Sequence, residues 1–449
     1  MSWKIAVIGG GSVLWMPRLG CDMFMEDSLD GSELVLVDID PAAAKLVKSY
    51  LEECVRVLNK KWSISIASED DALKNADCVV VSISTGGFEA MDKDYTTPEK
   101  FGVYHAVSDT TGPGGIFRTL RNAPVFLNLA EKMAKICPDA WMVHVTNPLS
   151  QITRLVNASG LVRCCGLCHE VAGQLYQLRG FLGIESADDL EANVVGVNHF
   201  TLFTKLVSRT VKDPMSKITL ENYMKYRSAE LGSGTVDDLV VKGKGEYKDF
   251  PLYLNFYLKE ILGVYPAAGT VHIAENFPRF FNDNELYKKF YLYRKGVLPE
   301  RPDNKRSIVE RLQKTLAEKA VPRETANRSR EMLCDCLVGL LTGEKRRIIA
   351  TLPNTGQIGN LPREASVETW ASVSCDSITP VMSGDIPMSC YGFMASVVAE
   401  QELTVQAALT RDRDLVRQAL FASPLFHEKE KVNELMDAMF EAEKEWINW

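Results

Sequence analysis

Short apolar runs recur through the first 200 residues, at Lys4–Ile8, Glu33–Val37, Cys78–Ile83, Trp141–Val145 and Asn193–Val197. Most are separated by stretches that space their apolar residues for one face of a helix. Alternation of this kind predicts a parallel sheet wound by helices, an α/β class. Asn122–Cys137 keeps apolar residues at helical spacing opposite a charged face, which predicts a helix packed on that sheet. From about residue 200 the pattern is longer, more helical and less regular, so the chain divides into residues 1–195 and a second domain, 196–449. Within the second, Lys305–Ala320 predicts an amphipathic helix in a highly charged stretch of about 286–332, read as a solvated face or subunit edge. Thr351–Thr369 sets turn residues between apolar anchors and predicts a long structured loop, of the kind that often lines sites.

Composition narrows the class. A chain of 449 residues with 46% hydrophobic and 24% charged residues is an ordinary globular protein, too long for one small core. The net charge of −8 leaves no electrostatic footprint for nucleic acid, and an anionic ligand would need a local cluster of basic groups. That points to a small-molecule pocket. The first strand begins at once, with no charged leader and no long apolar stretch, so the expected location is the cytoplasm, with no membrane contact. The eleven cysteines include Cys21, Cys54, Cys78, Cys334 and Cys336 in apolar stretches, where thiols serve as small hydrophobes and not as a disulfide framework.

Gly9-Gly10-Gly11-Ser12 follows the first strand, and Pro17 stands where a helix could begin. Glycines there let the backbone turn sharply and let a pyrophosphate approach the N–H groups of a helix N-terminus. Leu14 fills the slot of the third glycine in G-x-G-x-x-G, so taken alone the motif equally describes a tight turn. The second strand adds Asp38 at its end, placed to accept hydrogen bonds from the adenosine ribose, and an acid there favours NAD over NADP. Ser82-Ile-Ser-Thr-Gly-Gly87 closes the third run with small residues at the same edge. Gly9, Gly11, Ser12 and Asp38 are the expected cofactor contacts of a Rossmann-type domain.

Chemistry-bearing residues follow. Asn147, in His144-Val-Thr-Asn-Pro-Leu149, offers a donor and an acceptor at the carboxyl edge. Cys164-Cys165-Gly-Leu-Cys168-His169-Glu170-Val171 contains half of a structural zinc pattern, but no second Cys/His pair follows at zinc-finger spacing. Gly196-Val-Asn-His199-Phe brings a histidine to what should be the same edge. Cys168 and His199 together would hold a divalent metal and leave positions open for substrate oxygens. Ser108-Asp-Thr-Thr-Gly-Pro-Gly-Gly-Ile-Phe-Arg118 reads as a glycine-rich loop running into a helix near Thr119. Its glycines would permit close backbone approach to a ligand and Arg118 would bind an anion, although a surface loop has the same composition.

Read in order, GGGS, the GPGG-I-F-R loop, TNPL, CHEV and GVNHF resemble the motif series of glycoside hydrolase family four. The resemblance continues through Pro266-Ala-Ala-Gly-Thr-Val-His-Ile-Ala-Glu275 and the Pro353–Pro362 loop. It implies a Rossmann-type dinucleotide-binding domain followed by an α+β C-terminal domain of the lactate/malate-dehydrogenase type. It also implies a glycosidase that needs NAD and a divalent metal, usually Mn²⁺, outside the two-carboxylate scheme. By position, Cys168 and His199 match the family's metal ligands and Asn147 its substrate-binding asparagine. The implied chemistry is oxidation at C3 by NAD⁺, loss of the C2 proton, elimination of the C1–O bond, addition of water and return of the hydride.

In that family the residues after the metal-binding cysteine separate substrate classes. Aspartate resembles the 6-phospho-α-glucosidases, asparagine the 6-phospho-β-glucosidases and His-Ser the α-glucosidases and α-galactosidases. Cys168-His-Glu-Val171 resembles the α-galacturonidase branch, and a uronate carboxylate would need Arg118 or Arg279 as its cationic partner. Glu170 and His169 are candidates to protonate the leaving oxygen. Tyr265 and His272 are candidates for the C2 base, with ordinary packing the alternative. An α-glucuronidase, α-glucosidase or α-galactosidase remains open on these residues. A net hydroxy-acid dehydrogenase would have no use for a Cys–His metal pair, and an NAD-sensing protein would not need CHEV and GVNHF. The resemblance further suggests a homodimer or homotetramer acting on a small sugar acid.

Overall fold

The computed structural model describes residues 2–231, 250–282 and 301–449. Six parallel strands, β1 (Lys4–Ile8), β2 (Glu33–Val37), β3 (Ser63–Ile66), β4 (Cys78–Val81), β5 (Trp141–His144) and β6 (Cys164–Gly166), lie in the order β3-β2-β1-β4-β5-β6. This is the doubly wound order, in which the winding reverses between β1 and β4 and opens a crevice at the carboxyl ends of the strands. The residues of β4, Cys-Val-Val-Val, are buried throughout, as a strand covered by helices on both faces requires. β3 and β6 have only four and three residues, too short to stand out as apolar runs.

The run Asn193–Val197 does not join this sheet. It belongs to β7 (Leu190–Val197), which pairs antiparallel with β8 (Phe200–Ser208), and β8 pairs with β9 (Tyr265–Pro266) in a separate sheet. The reason is the connection: only Asn198 and His199 separate β7 from β8, and so short a link makes a hairpin, whereas a parallel neighbour needs a crossover. Thr351–Thr369 is a loop only at 354–365. Its flanks are β10 (Arg346–Pro353) and β11 (Ser366–Ser374), which with β12 (Ser377–Pro380) add three antiparallel strands beside β6. Thr351 lies opposite Gly166, so residues 346–380 complete the sheet that the first half of the chain begins.

The helix expected from Asn122 or Thr119 starts earlier, at Gly112, and runs to Ile136. Its glycines serve packing. A Cβ on Gly114 would stand 1.9 Å from Ser108 Oγ, and one on Gly115 would stand 2.4 Å from the Thr110 carbonyl. They admit the chain's own 108–111 segment against the first turn, in place of the ligand the sequence suggested. Pro113 fits that turn because the first N–H groups of a helix have no intrahelical partner. Glu400 Oε1 accepts the Gly112 N–H at 2.9 Å.

Burial pushes the Glu400 carboxyl up to about 7, against the pull of that N–H. A carboxyl with a raised folded pKa contributes stability that is fully present below its unfolded pKa and lost as pH rises through the folded value. Glu400→Gln should therefore flatten part of the decline in melting temperature between about pH 4.5 and 7. Wild-type and variant melting curves across that window check it; parallel pH profiles would refute the assignment.

Arg121 is wholly buried between Asp94, at 2.6 Å, and Glu443, at 3.0 Å, and its Nε donates to the Thr85 carbonyl at 3.1 Å. It thereby fastens the chain's last turns to the 82–87 segment. Burial first, and then the Asp94 charge, push the Glu443 carboxyl up to about 9. The amphipathic helix expected at Lys305–Ala320 runs from Arg301 to Ala317 and buries Leu312, while 286–300 lie outside the described residues. All eleven cysteines are free thiols. Among the described residues, no helix is long and apolar enough to cross a membrane.

Candidate active site

The crevice begins with the glycine turn. Gly9 and Gly10 donate their N–H groups to the Val37 carbonyl at 2.9 Å, and Gly11 donates to Asp38 Oδ2 at 2.7 Å. Gly9 has φ +86°, and a Cβ there would stand 2.1 Å from the Ser82 carbonyl oxygen. Pro17 opens the helix Met16–Phe24 immediately beyond the turn. Gly9, Gly11, Ser12 and Asp38 thus gather at the end of β1 and β2, where the sequence placed them. Asp38 Oδ1 also accepts the Asp40 N–H at 2.9 Å, and each of its oxygens keeps a second lone pair for a ribose hydroxyl.

Four segments meet beside this crevice. The loop after β6 supplies Cys168, the β7–β8 hairpin supplies His199, the helix Thr270–Asn276 supplies His272, and the loop before the glycine-led helix supplies Asp109. His199 sits at the hairpin tip with φ +62°, a left-handed conformation that two-residue hairpins commonly use. Its Nε2 lies 3.7 Å from Cys168 Sγ, while its Nδ1 lies 2.6 Å from Thr110 Oγ1 and 3.6 Å from Asp109 Oδ1. The His272 ring packs on the His199 ring with centroids 3.7 Å apart, and its Nδ1 is 3.8 Å from the same Asp109 oxygen. Asn147 Nδ2 donates to Asp109 Oδ2 at 3.0 Å.

Two buried carboxylates hold this arrangement. Glu275, on the His272 helix, accepts the N–H groups of Ala106, Val107 and Ser108 at 2.8, 2.8 and 3.1 Å, which ties the Asp109 loop to that helix. Burial opposes its ionisation, but the His105 ring and those N–H groups bring the carboxyl below its usual range. Glu368 accepts from Asn198 Nδ2 at 2.8 Å and steadies the hairpin tip. Asp109 is likewise held well below the usual carboxylate range, because His199, His272 and Arg118 outweigh its burial.

The donor set fits a divalent cation. Asp109, His199 and His272 bring one ligand atom each to within 4.8 Å of one another, with the Cys168 thiol on the other nitrogen of His199. His272 Nδ1 is buried with no hydrogen-bond partner, which leaves it a free lone pair or proton facing the cluster. Carboxylate and imidazole together suit Mn²⁺ and similar ions.

The remaining candidates divide. Glu170 lies against the cluster, with Oε1 3.9 Å from His272 Nε2 and Oε2 accepting the Gly269 N–H. Arg118 is buried, donates to Ser84 Oγ at 3.3 Å and bears on Asp109 through its charge. His169 turns the other way: it is half-exposed, 3.5 Å from Glu331 Oε1 and packed on Trp15. Arg279 is exposed on the short helix Arg279–Asn282 and, among the described residues, forms no ion pair with the cluster. Tyr265 is corrected to a core residue. Its ring stacks on Phe203, its hydroxyl donates to Gln174 at 2.8 Å, and burial pushes its pKa well up, because β9 points it into the apolar interior.

Comparison with known proteins decides the family. The profile described as "Family 4 glycosyl hydrolase" matches residues 4–184, and "Family 4 glycosyl hydrolase C-terminal domain" matches 194–426. The chain belongs to glycosyl hydrolase family 4. It is similar to the α-galacturonidase of Thermoanaerobacter italicus, 32% identical with 99% of this chain and 98% of the relative covered. In structure it is similar to the Bacillus subtilis protein lplD, named as a glucosidase, with TM-score 0.84 and 29% identity over 98% of this chain and 99% of that one. A 6-phospho-α-glucosidase from gut microorganisms, solved in complex with NAD and Mn²⁺, shares the fold at TM-score 0.83 and 18% identity, over 100% of this chain and 99% of that one. The family-4 chain is a glycosidase, with a Rossmann-like fold followed by a C-terminal domain.

Sequence reasoning missed Asp109, Thr110 and Glu275. Asp109 stands inside the glycine-rich segment quoted for its glycines and Arg118, and an acid beside Gly112-Pro113-Gly114 was the available signal. Glu275 had none, because its partners are three backbone N–H groups of a distant loop.

Proposed function

We propose that this glycosidase cleaves α-linked galacturonides with NAD⁺ and a divalent cation, Mn²⁺ above others. The observation that carries the reading is the convergence of Cys168, His199 and Asp109 beside the Gly9–Ser12 turn. The α-galacturonidase relatives and the Cys168-His-Glu-Val171 sequence support the sugar. When bound, the nicotinamide supplies a hydride acceptor and the cation a Lewis acid for oxygens at C2 and C3.

The chain's own residues divide the remaining work. The Gly9–Ser12 turn binds the pyrophosphate and Asp38 the ribose. Cys168 and His199 Nε2 hold the cation, while Asp109 and Thr110 orient His199 from its Nδ1 side, as carboxylates do behind metal-bound imidazoles. Asn147 and Arg118 bind the sugar, Arg118 on its carboxylate. Glu170 and His272 face each other beside His199, with His272 assigned to the C2 proton and Glu170 to the leaving oxygen. His169, turned toward Glu331 and Trp15, is the alternative donor to that oxygen. In this reading residues 1–195 carry the cofactor and 196–449 complete the sugar site, in a cytoplasmic homodimer or homotetramer.

Digalacturonate or an aryl α-galacturonide, incubated with NAD⁺, Mn²⁺ and a reducing thiol, should release galacturonate without accumulating NADH. Solvent deuterium should enter C2 of the product. Stoichiometric NADH would refute the hydrolase chemistry, and preference for a parallel α-glucuronide or α-glucoside would refute the sugar.

A further inference from the structure

A cavity of about 360 Å³ opens on the outer side of His169, between the helices Met16–Phe24 and Glu170–Phe181 and residues 323–331. Its volume is within the range of ligand pockets, about 300–1,000 Å³. Its wall is unusually basic, with Arg18, Arg323, Arg328 and Arg330 against Glu324 and Glu331. Two of the arginines are spent on carboxylates: Arg323 on Glu324, and Arg328 on Glu26 and Asp335. Glu331 is taken by His169 at 3.5 Å. Among the described residues, Arg18 and Arg330 form no ion pair. The Arg330 guanidinium lies 3.4 Å over the Tyr176 ring, a stacking that fixes its plane and leaves its N–H edge for an acceptor.

We propose that this arginine-walled cavity is the subsite for the unit beyond the scissile bond, and that Arg18 and Arg330 read the carboxylate of a second uronate there. The inference rests on the galacturonide reading above. Its geometry follows from His169, which adjoins Cys168 in the chain and lines the cavity with its side chain. The ring that is cleaved belongs at the Cys168–His199 side, within reach of the glycine turn. The ring that leaves therefore lies across His169, in the cavity. Arginine pairs with a carboxylate through two parallel N–H bonds, a geometry that a neutral sugar or aryl group does not use. The substrate class is then an oligomer of uronates, and simple alkyl or aryl galacturonides occupy the site incompletely.

The test compares kcat/KM for digalacturonate with that for an uncharged aryl α-galacturonide in wild type, Arg330→Ala, Arg18→Ala and Arg330→Lys, with NAD⁺ affinity measured alongside. The ratio of digalacturonate to aryl substrate should fall about tenfold or more in each alanine variant, mainly through KM, a loss of about 1.4 kcal/mol or more. Arg330→Lys should recover part of it. A ratio that stays constant in both alanine variants, while wild type cleaves both galacturonides, overturns the subsite and leaves the galacturonidase standing. If wild type cleaves neither galacturonide, the sugar assignment falls and takes the subsite with it.

Discussion

Replacing Asp109 by asparagine should weaken Mn²⁺ binding by about ten- to a hundredfold, with turnover falling at least as far. The carboxylate is buried, accepts from Asn147 and faces both histidines of the cluster. An amide keeps its shape and most of its hydrogen bonds but removes the negative charge that balances the imidazoles and the cation. Since the Lewis acid is worth several kcal/mol at the reacting oxygens, a displaced ion costs roughly a hundredfold or more in rate. Calorimetric Mn²⁺ titration of the variant checks the first number and steady-state kinetics the second. A His272→Ala arm separates two arrangements. Modest loss of Mn²⁺ affinity agrees with Cys168 and His199 Nε2 as ligands. A loss as large as that of Asp109→Asn would assign the ion to Asp109, His199 and His272 instead. Unchanged Mn²⁺ affinity in Asp109→Asn would remove Asp109 from the site altogether.

The second large effect is on stability. Arg121→Met should cost about 3–5 kcal/mol, because removing one partner of a buried pair strands the other's charge. Here two carboxyl groups, Asp94 and Glu443, lose the guanidinium that stands between them. Glu443→Gln should cost far less. Burial and then the Asp94 charge favour the protonated form of Glu443, and glutamine preserves a neutral polar group of that shape. Urea denaturation of both variants at pH 7 reads the contrast; equal losses would mean that Glu443 is ionised in the folded chain.

What the sequence made legible was local. The runs at β1, β2, β4 and β5 are apolar because parallel strands under helices must be, and the glycine turn with Asp38 is a contiguous device whose parts lie at strand ends. Cys168 and His199 announced themselves by residue type. The rest depends on contacts between distant segments. The two-residue link Asn198-His199 turned an expected parallel strand into a hairpin, and the GPGG glycines proved to accommodate the 108–111 segment. Asp109 became visible only when the Glu275 carboxylate tied its loop to the His272 helix. Tyr265 and His272 flank the same turn, yet only the second reaches the site, because β9 sends the tyrosine ring to the core.

The late arrival of β10 beside β6 has a consequence for synthesis. Translation delivers the parallel strands first, and the open edge of β6 then waits for Arg346–Pro353 to emerge from the ribosome. At ordinary rates of elongation the delay is roughly ten to forty seconds. During that time an unpaired edge is a template for any other extended chain. A nascent chain of this protein is therefore most exposed to wrong association at an edge that the finished enzyme no longer has.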